Sequence, residues 1–354
     1  MRVGVDGRSL IGSARRGVGR VTADLLSALA ARFPQDEWRV LLPAGTAELP
    51  RGTIAQRSRL PSRVLFGAAP VAGRPRLDVL LGGVDVVWLP APAPVAISRD
   101  VPSVLTLHDL SWIQRPRDFT LYERAWHRVA QPGQQARRAA RVAAVSERTR
   151  QDAIELWKLD PSRISLLRPP VATCSPTAGG GPHDEPFFLW VGALEPRKAP
   201  DVLEQAWSMA RSRGLGARLV VVGEGRLPLT GDGVERLGRV TDAELGALYD
   251  AALALVMPSR LEGAGLPPLE AALHGVPSIC SDLPVLRESL GADGAVWVPT
   301  EDADGLARAL LRMARDPEQR ERVAVAAGRA AAARADPGPP AVQMRALLVE
   351  AADQ

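Results

Sequence analysis

The nine residues EGAGLPPLE, Glu262 to Glu270, carry two carboxylates separated by seven residues, and the interval passes from a glycine loop into a helix. Gly263 and Gly265 let the backbone approach a ligand closely and take positive φ. Pro267 and Pro268 suit the first turn of a helix, where a missing N–H costs nothing. The helix is expected to run through LEAALH until Gly275 stops it. Glu262 then precedes a helix N-terminus and Glu270 lies about one turn inside. The unpaired N–H groups and positive dipole end of that terminus favour phosphate. Carboxylates beside a phosphate site suit a ligand with both phosphates and hydroxyls, such as a nucleotide sugar. Taken alone, the pair also reads as a helix-capping Glu followed by a solvated one. The glycines, the prolines and a basic motif upstream favour the site.

That motif is GALEPRKAP, Gly192 to Pro200. It follows the apolar run FFLWV, which reads as a buried strand, and precedes a helical pattern through Val202, Leu203, Ala206 and Met209. Arg197 and Lys198 are therefore placed in a strand-to-helix loop at the carboxyl end of a strand, where open α/β sheets bind ligands. Arg offers phosphate a fork of donors and Lys a compact charge.

Outward from these loops, short apolar runs alternate with helical segments, which argues for parallel α/β sheets. Strands are expected at Val3–Val5, Arg39–Leu42, Asp85–Leu89, Ser103–Leu107, Arg141–Val145 and Ile164–Leu167. After them come Phe187–Val191, Arg218–Val222, Val234–Leu237, Leu253–Met257, Ser278–Cys280 and Ala295–Val298. The composition of TAGGGPHDEP marks residues 173–186 as a linker between a first domain, 1–172, and a second, 187–335. A helical tail follows, broken at DPGPP (Asp336–Pro340), with a last helix inside 336–354. At 354 residues, 46% hydrophobic and 24% charged, the chain reads as an ordinary globular protein with large cores. A net charge of +4 is too weak to argue nucleic acid. Cys174 and Cys280 lack CxxC spacing and fit a reducing compartment. The opening MRVGVD reads as a strand, so no signal peptide is expected. No apolar run reaches the ~18 residues of a membrane span, and a cytoplasmic protein is expected.

GALEPRK, then VGEG at Val222 to Gly225, then PSRLEGAGLPPLEA, in this order, resembles the C-terminal half of glycosyltransferase family 4. RGVGRVTADLL (Arg16–Leu26), LTLHDLSW (Leu105–Trp112) and VAAVSERTRQD (Val142–Asp152) are similar to its N-terminal half. The resemblance covers roughly residues 1 to 315. It implies a GT-B architecture, two facing Rossmann-like domains with a C-terminal helix that crosses back to the first. It also implies a retaining, nucleotide-sugar-dependent hexosyltransferase. The second domain would bind the nucleotide sugar and the first would lie on the acceptor side. Arg197 and Lys198 would neutralise the leaving diphosphate, Glu262 would serve the donor sugar, and Glu270 would bind ribose hydroxyls. Backbone N–H groups of Gly263, Ala264, Gly265 and Leu266, with Gly17, Val18 and Gly19, would complete the phosphate cradle. The chain departs from the family in having Ala264 where a bulky residue is common and Ala199 where Asn is common. Arg168-Pro169-Pro170 stands where relatives often carry His-Pro-Gly.

GVGR, Gly17 to Arg20, lacks the third glycine of the dinucleotide fingerprint, so NAD is not expected; bare, it also reads as a tight turn. His108 ends an apolar strand and is read as catalytic, though a packed His is the alternative; Asp109 is a candidate for the acceptor. Asp302-Ala303-Asp304 has DxD spacing but leads into LARALLRM, so it reads as a helix cap, and no metal or other cofactor is expected. Arg124, Arg128, Arg137, Arg138 and Arg141, with Trp126, form either a solvated helix face or a contact to anionic lipid on the inner face of a membrane. The expected partners are a nucleoside-diphosphate sugar, by family frequency GDP-mannose, and a glycan, lipid-linked or small-molecule acceptor used in polysaccharide or glycoconjugate synthesis. The alternatives are a non-catalytic GT-B binding partner, or a GT-B epimerase or phosphorylase.

Overall fold

In the computed structural model, which describes residues 1–11, 17–44, 47–59, 67, 69–172 and 185–354, the first seven strands form one sheet. They are β1 (Arg2–Asp6), β2 (Glu37–Leu42), β3 (Thr53–Arg57), β4 (Val86–Leu89), β5 (Ser103–Leu107), β6 (Arg141–Ala144) and β7 (Ile164–Leu166). Their order is β3-β2-β1-β4-β5-β6-β7, and every pairing is parallel. The order reverses between β1 and β4, so their carboxyl ends border the crevice where such sheets hold ligands. The edge strand β3 departs from the sequence reading. Its residues, TIAQR, contain no apolar run, because an edge strand needs only one neighbour and stays half exposed.

A second sheet holds β8 (Phe187–Val191), β9 (Arg218–Val222), β10 (Val234–Gly238), β11 (Ala254–Met257), β12 (Ser278–Ser281) and β13 (Val296–Val298). Its order is β10-β9-β8-β11-β12-β13, again parallel, with the reversal between β8 and β11. Successive residues of β8 point to opposite faces. Phe188 and Trp190 pack with Leu203, Trp207, Leu306 and Leu310, while Phe187 and Leu189 pack with Leu245, Leu248 and Tyr249. Both faces are thus covered by helices, which explains the unbroken apolar runs.

The chain divides into two compact units, Met1–Pro170 with Asp336–Gln354, and Val171–Ala335. The helices used below are α1 (Gly17–Arg32), α2 (Leu121–Ala130), α3 (Pro132–Arg138), α4 (Glu147–Trp157), α5 (Pro200–Ser212), α6 (Asp242–Ala251), α7 (Leu266–Leu273), α8 (Pro284–Leu290), α9 (Ala303–Arg315), α10 (Pro317–Ala332) and α11 (Gly338–Ala352). The last helix belongs to the first unit. Met344, Leu347, Leu348 and Ala351 are buried in one cluster with Leu25, Leu26 and Leu29 of α1. It starts at Gly338, within the break expected at DPGPP, because Pro339 and Pro340 fit its first turn. Most of the expected linker, residues 173–184, and Cys174 lie outside the described residues. Among the described residues, no helix is long and apolar enough to cross a membrane.

Candidate active site

The two motifs of the second unit leave the carboxyl ends of β8 and β11, the strands that border the reversal. After β8 the chain makes a single 3-10 turn, Pro196–Lys198, and enters α5. Ala199 joins turn to helix with φ 52, in the left-handed region. Asn tolerates that region well and Ala pays about 1 kcal/mol, which explains why Asn is common here in the family the sequence resembles. After β11, Pro258 to Gly265 lead into α7, and Gly265 (φ 65) occupies its N-cap without a side-chain cap. A Cβ on Gly265 would lie 2.5 Å from Leu286 of α8. The Ala264 carbonyl accepts a hydrogen bond from Ser289 Oγ at 2.9 Å, and Arg334 Nη1 donates to that oxygen at 3.2 Å.

These loops meet through side chains. Lys198 Nζ lies 2.6 Å from Glu262 Oε1, and both residues are buried, at 8% and 7% exposure. Arg260 holds the backbone of the turn. Its N–H donates to the Arg197 carbonyl at 2.8 Å and its Nη1 to the Pro196 carbonyl at 2.6 Å. The guanidinium also pairs with Glu301 and Asp201, whose carboxylates raise it well above its ordinary value. Arg197 is half-buried and pairs with Glu195 at 3.3 Å. Burial, and secondarily the charge of Glu262, push the Cys280 thiol far up, which leaves it an inert neighbour. The VGEG segment after β9 packs backbone on backbone against the same loop. Gly192 N–H donates to Val222 O at 3.0 Å and Leu194 N–H to Glu224 O at 3.2 Å. Gly223 has φ 124, and a Cβ there would overlap the Gly192 carbonyl.

Glu270 is buried about one turn inside α7, and Tyr249 Oη donates to its Oε2 at 3.0 Å. Tyr249 is fully buried and stacks on His274, whose Nδ1 lies 2.7 Å from Asp250. Tyr249 and Arg260 escape the sequence reading. Tyr249 lies in a helix read only for its cap and apolar face, and Arg260 lies within the quoted PSRLEGAGLPPLEA stretch without being singled out.

The other site residues belong to the first unit. Gly17, Val18 and Gly19 form the first turn of α1, and Gly17 is exposed. Arg16, just before them, lies outside the described residues. His108 follows β5. Its Nε2 donates to the Pro90 carbonyl at 2.9 Å, and burial lowers its pKa below the ordinary 6.5. The ring is therefore neutral at pH 7 with the proton on Nε2. Ser146 caps α4, and Thr149 of that helix donates to the His108 carbonyl at 3.2 Å. Asp109 accepts from Ser111 N–H at 2.9 Å and Ser111 Oγ at 2.6 Å. Among the described residues, no group of three His, Cys, Asp or Glu is placed to hold a metal ion. Asp302 accepts from Gly305 N–H at 2.8 Å and so caps α9, while Asp304 pairs with Arg213 and Arg308.

A profile described as "Glycosyltransferase Family 4" matches residues 15–173, and one described as "Glycosyl transferases group 1" matches residues 185–316. A D-inositol 3-phosphate glycosyltransferase of Frankia alni is 30% identical over 279 residues, covering 69% of this chain and 68% of that protein. The chain belongs to glycosyltransferase family 4. The O-antigen chain mannosyltransferase B of Escherichia coli is 30% identical over 268 residues, covering 65% of each chain. Over three of the curated relatives it matches, the chain spans between 60% and 65% of their length. Among solved structures, Anabaena HepE in complex with UDP and glucose superposes with a TM-score of 0.74 at 17% identity, over 99% of both chains. The fold is therefore GT-B, with two Rossmann-like parallel-sheet units.

Proposed function

We propose that this protein is a retaining glycosyltransferase that moves a sugar from a nucleoside diphosphate to an acceptor hydroxyl without a metal or other cofactor. The buried Lys198–Glu262 pair carries the reading, because it sets a cation and a carboxylate together before the uncapped N-terminus of α7. When C1 of the sugar parts from the diphosphate, the electron pair stays on the phosphate oxygen and negative charge grows there. Lys198, Arg197 and the N–H groups of α7 are the groups that would stabilise it. The acceptor oxygen bonds to C1 and its proton passes to the released phosphate oxygen. Glu262 accepts hydrogen bonds from sugar hydroxyls and keeps Lys198 in place. Glu270, fixed by Tyr249, accepts from the ribose hydroxyls. His108 is neutral, so it serves as a hydrogen-bond partner for a substrate hydroxyl and not as a cation; Asp109 is assigned to the acceptor.

Mannose is the preferred donor sugar, since mannosyltransferases of Escherichia coli and Salmonella typhimurium are among the relatives. The acceptor is a glycan or glycoconjugate precursor, and the reaction is placed in the cytoplasm. A thermal-shift screen of GDP, UDP, TDP and ADP tests the donor half of the reading. A bound nucleotide at 100 times its dissociation constant adds about 2.7 kcal/mol. One of the four is expected to raise the melting temperature by several degrees, and that shift should vanish in Lys198→Ala. A flat response to all four would refute the reading.

A further inference from the structure

A cleft of about 400 Å³ opens in the first unit, where the ends of α2 and α4 meet the start of α3. The reaction set out above uses none of its residues. The walls are aromatic. Trp112 stacks on His127, with ring centroids 4.5 Å apart and an interplanar angle of 10°. Trp157 stands 6.3 Å from Trp112, tilted by 40°. The two indoles are half-buried, so they form walls and not protruding tips. Gly133 makes room for one of them, since a Cβ there would come within 3.1 Å of Trp157 Nε1. Burial keeps His127 neutral, so the stacked imidazole acts as an aromatic wall.

The rim is polar and positive. Arg128 and Arg137 line the cleft and are exposed, as are Gln131 and Gln134, and among the described residues no carboxylate lines it. Apolar ring faces at an angle suit the C–H faces of a pyranose, and amide side chains suit its hydroxyls. Two guanidinium forks suit a carboxylate or a phosphate. The volume lies in the ordinary range for small-molecule sites. Position supplies the remaining argument. Trp112 follows Asp109 by three residues, and the charge of Asp109 acts on both His108 and His127. The cleft therefore adjoins the residues assigned to the acceptor.

We propose that this cleft is an acceptor subsite for an anionic pyranose, either a uronate or a phosphorylated sugar. The word acceptor rests on the glycosyltransferase reading; the binding itself does not. The reaction would then extend a charged glycan, and an earlier step must install the acidic sugar in the acceptor.

The test is saturation-transfer NMR on the full chain with three probes: methyl β-glucuronide, glucose 6-phosphate and the neutral methyl β-glucoside. Both anions are expected to bind at least ~10-fold more tightly than the glucoside, a difference of about 1.4 kcal/mol. Arg128→Gln with Arg137→Gln should erase that preference, and Trp112→Ala should remove binding of all three. The nucleotide thermal shift should persist in these variants, which shows that they fold and separates this proposal from the donor reading. Saccharide binding without any nucleotide shift in wild type would sink the donor reading and leave this subsite standing. The subsite is refuted by equal affinity for charged and neutral probes, or by no transfer at tens of millimolar. Binding that survives Trp112→Ala refutes it too. Capture by phosphatidylglycerol vesicles that the glucuronide does not displace would assign the cleft to a lipid surface instead.

Discussion

The two units hold their candidate residues by different means. In the second unit, Lys198 and Glu262 are locked by charge, by the Arg260 clamp and by glycines that let backbones touch. In the first, His108 and Asp109 are held by hydrogen bonds to the uncharged groups of Pro90 and Ser111, beside a cleft walled by rings. A group that must oppose growing charge needs a fixed counter-charge before the reaction starts. A site that accepts a saccharide needs shape and hydroxyl partners, with any charge kept to its rim. Perturbing charge should therefore damage the second unit most, and perturbing packing the first.

The largest effects test that contrast. Leu348→Ala removes a fully buried side chain from the core that α11 shares with α1. A loss of about 3 kcal/mol of unfolding free energy is expected in chemical denaturation, confined to the transition of the first unit. Glu262→Ala should cost a similar ~3 kcal/mol in the second unit, because it removes the carboxylate 2.6 Å from the buried Lys198 ammonium. The double change Lys198→Met with Glu262→Gln should recover most of that stability and none of the turnover. If Glu262→Ala is as stable as wild type, the pair does not hold the loops.

A smaller effect is expected at the ribose end. Tyr249→Phe removes one hydrogen bond to a carboxylate, worth roughly 1.5–3 kcal/mol. Nucleotide affinity should fall about tenfold while kcat changes little; equal losses in both would make Tyr249 part of the bond-breaking step. The smallest effect is a pH dependence in the first unit. Burial lowers the folded pKa of His108 and of His127 below the unfolded value of 6.5. As pH falls below 6.5 the unfolded chain gains protons first, so stability held above that pH is lost towards the folded values. His108→Gln should flatten part of this slope in melting curves taken from pH 7.5 to 5. An unchanged slope would mean that His108 titrates alike in both states.

The same contrast explains what the sequence makes legible. Ser103–Leu107, Phe187–Val191 and Arg218–Val222 coincide with the strands read from it, because strands buried on both faces need continuous apolar runs. Edge strand β3 has no such need and leaves no signal. The residues singled out around α7 lie within short stretches whose glycines and charges are local, so each loop is legible by itself, whereas the contact between Lys198 and Glu262 spans 64 residues and appears only in the fold. Tyr249 and Arg260 act across the fold, at residues 249 to 270 and 260 to 301, where spacing carries no information. The cleft in the first unit is assembled from Trp112, His127 and Trp157, and only folding brings them together. The basic stretch around α2 and α3 divides in the same way. Arg128 and Arg137 reach the cleft, whereas Arg141 begins β6 and pairs with Glu350.

The central claim is that fixed cations of the second unit oppose the charge on the leaving diphosphate. The direct measurement is release of nucleoside diphosphate from the preferred nucleotide sugar after exhaustive EDTA treatment, in wild type, Arg197→Ala and Lys198→Ala. We expect wild-type release to survive EDTA and each variant to fall at least ~10 to 100-fold, as the loss of a charged hydrogen bond implies. Silencing of the wild type by EDTA with rescue by magnesium or manganese would contradict the claim, and so would near-normal rates in both variants.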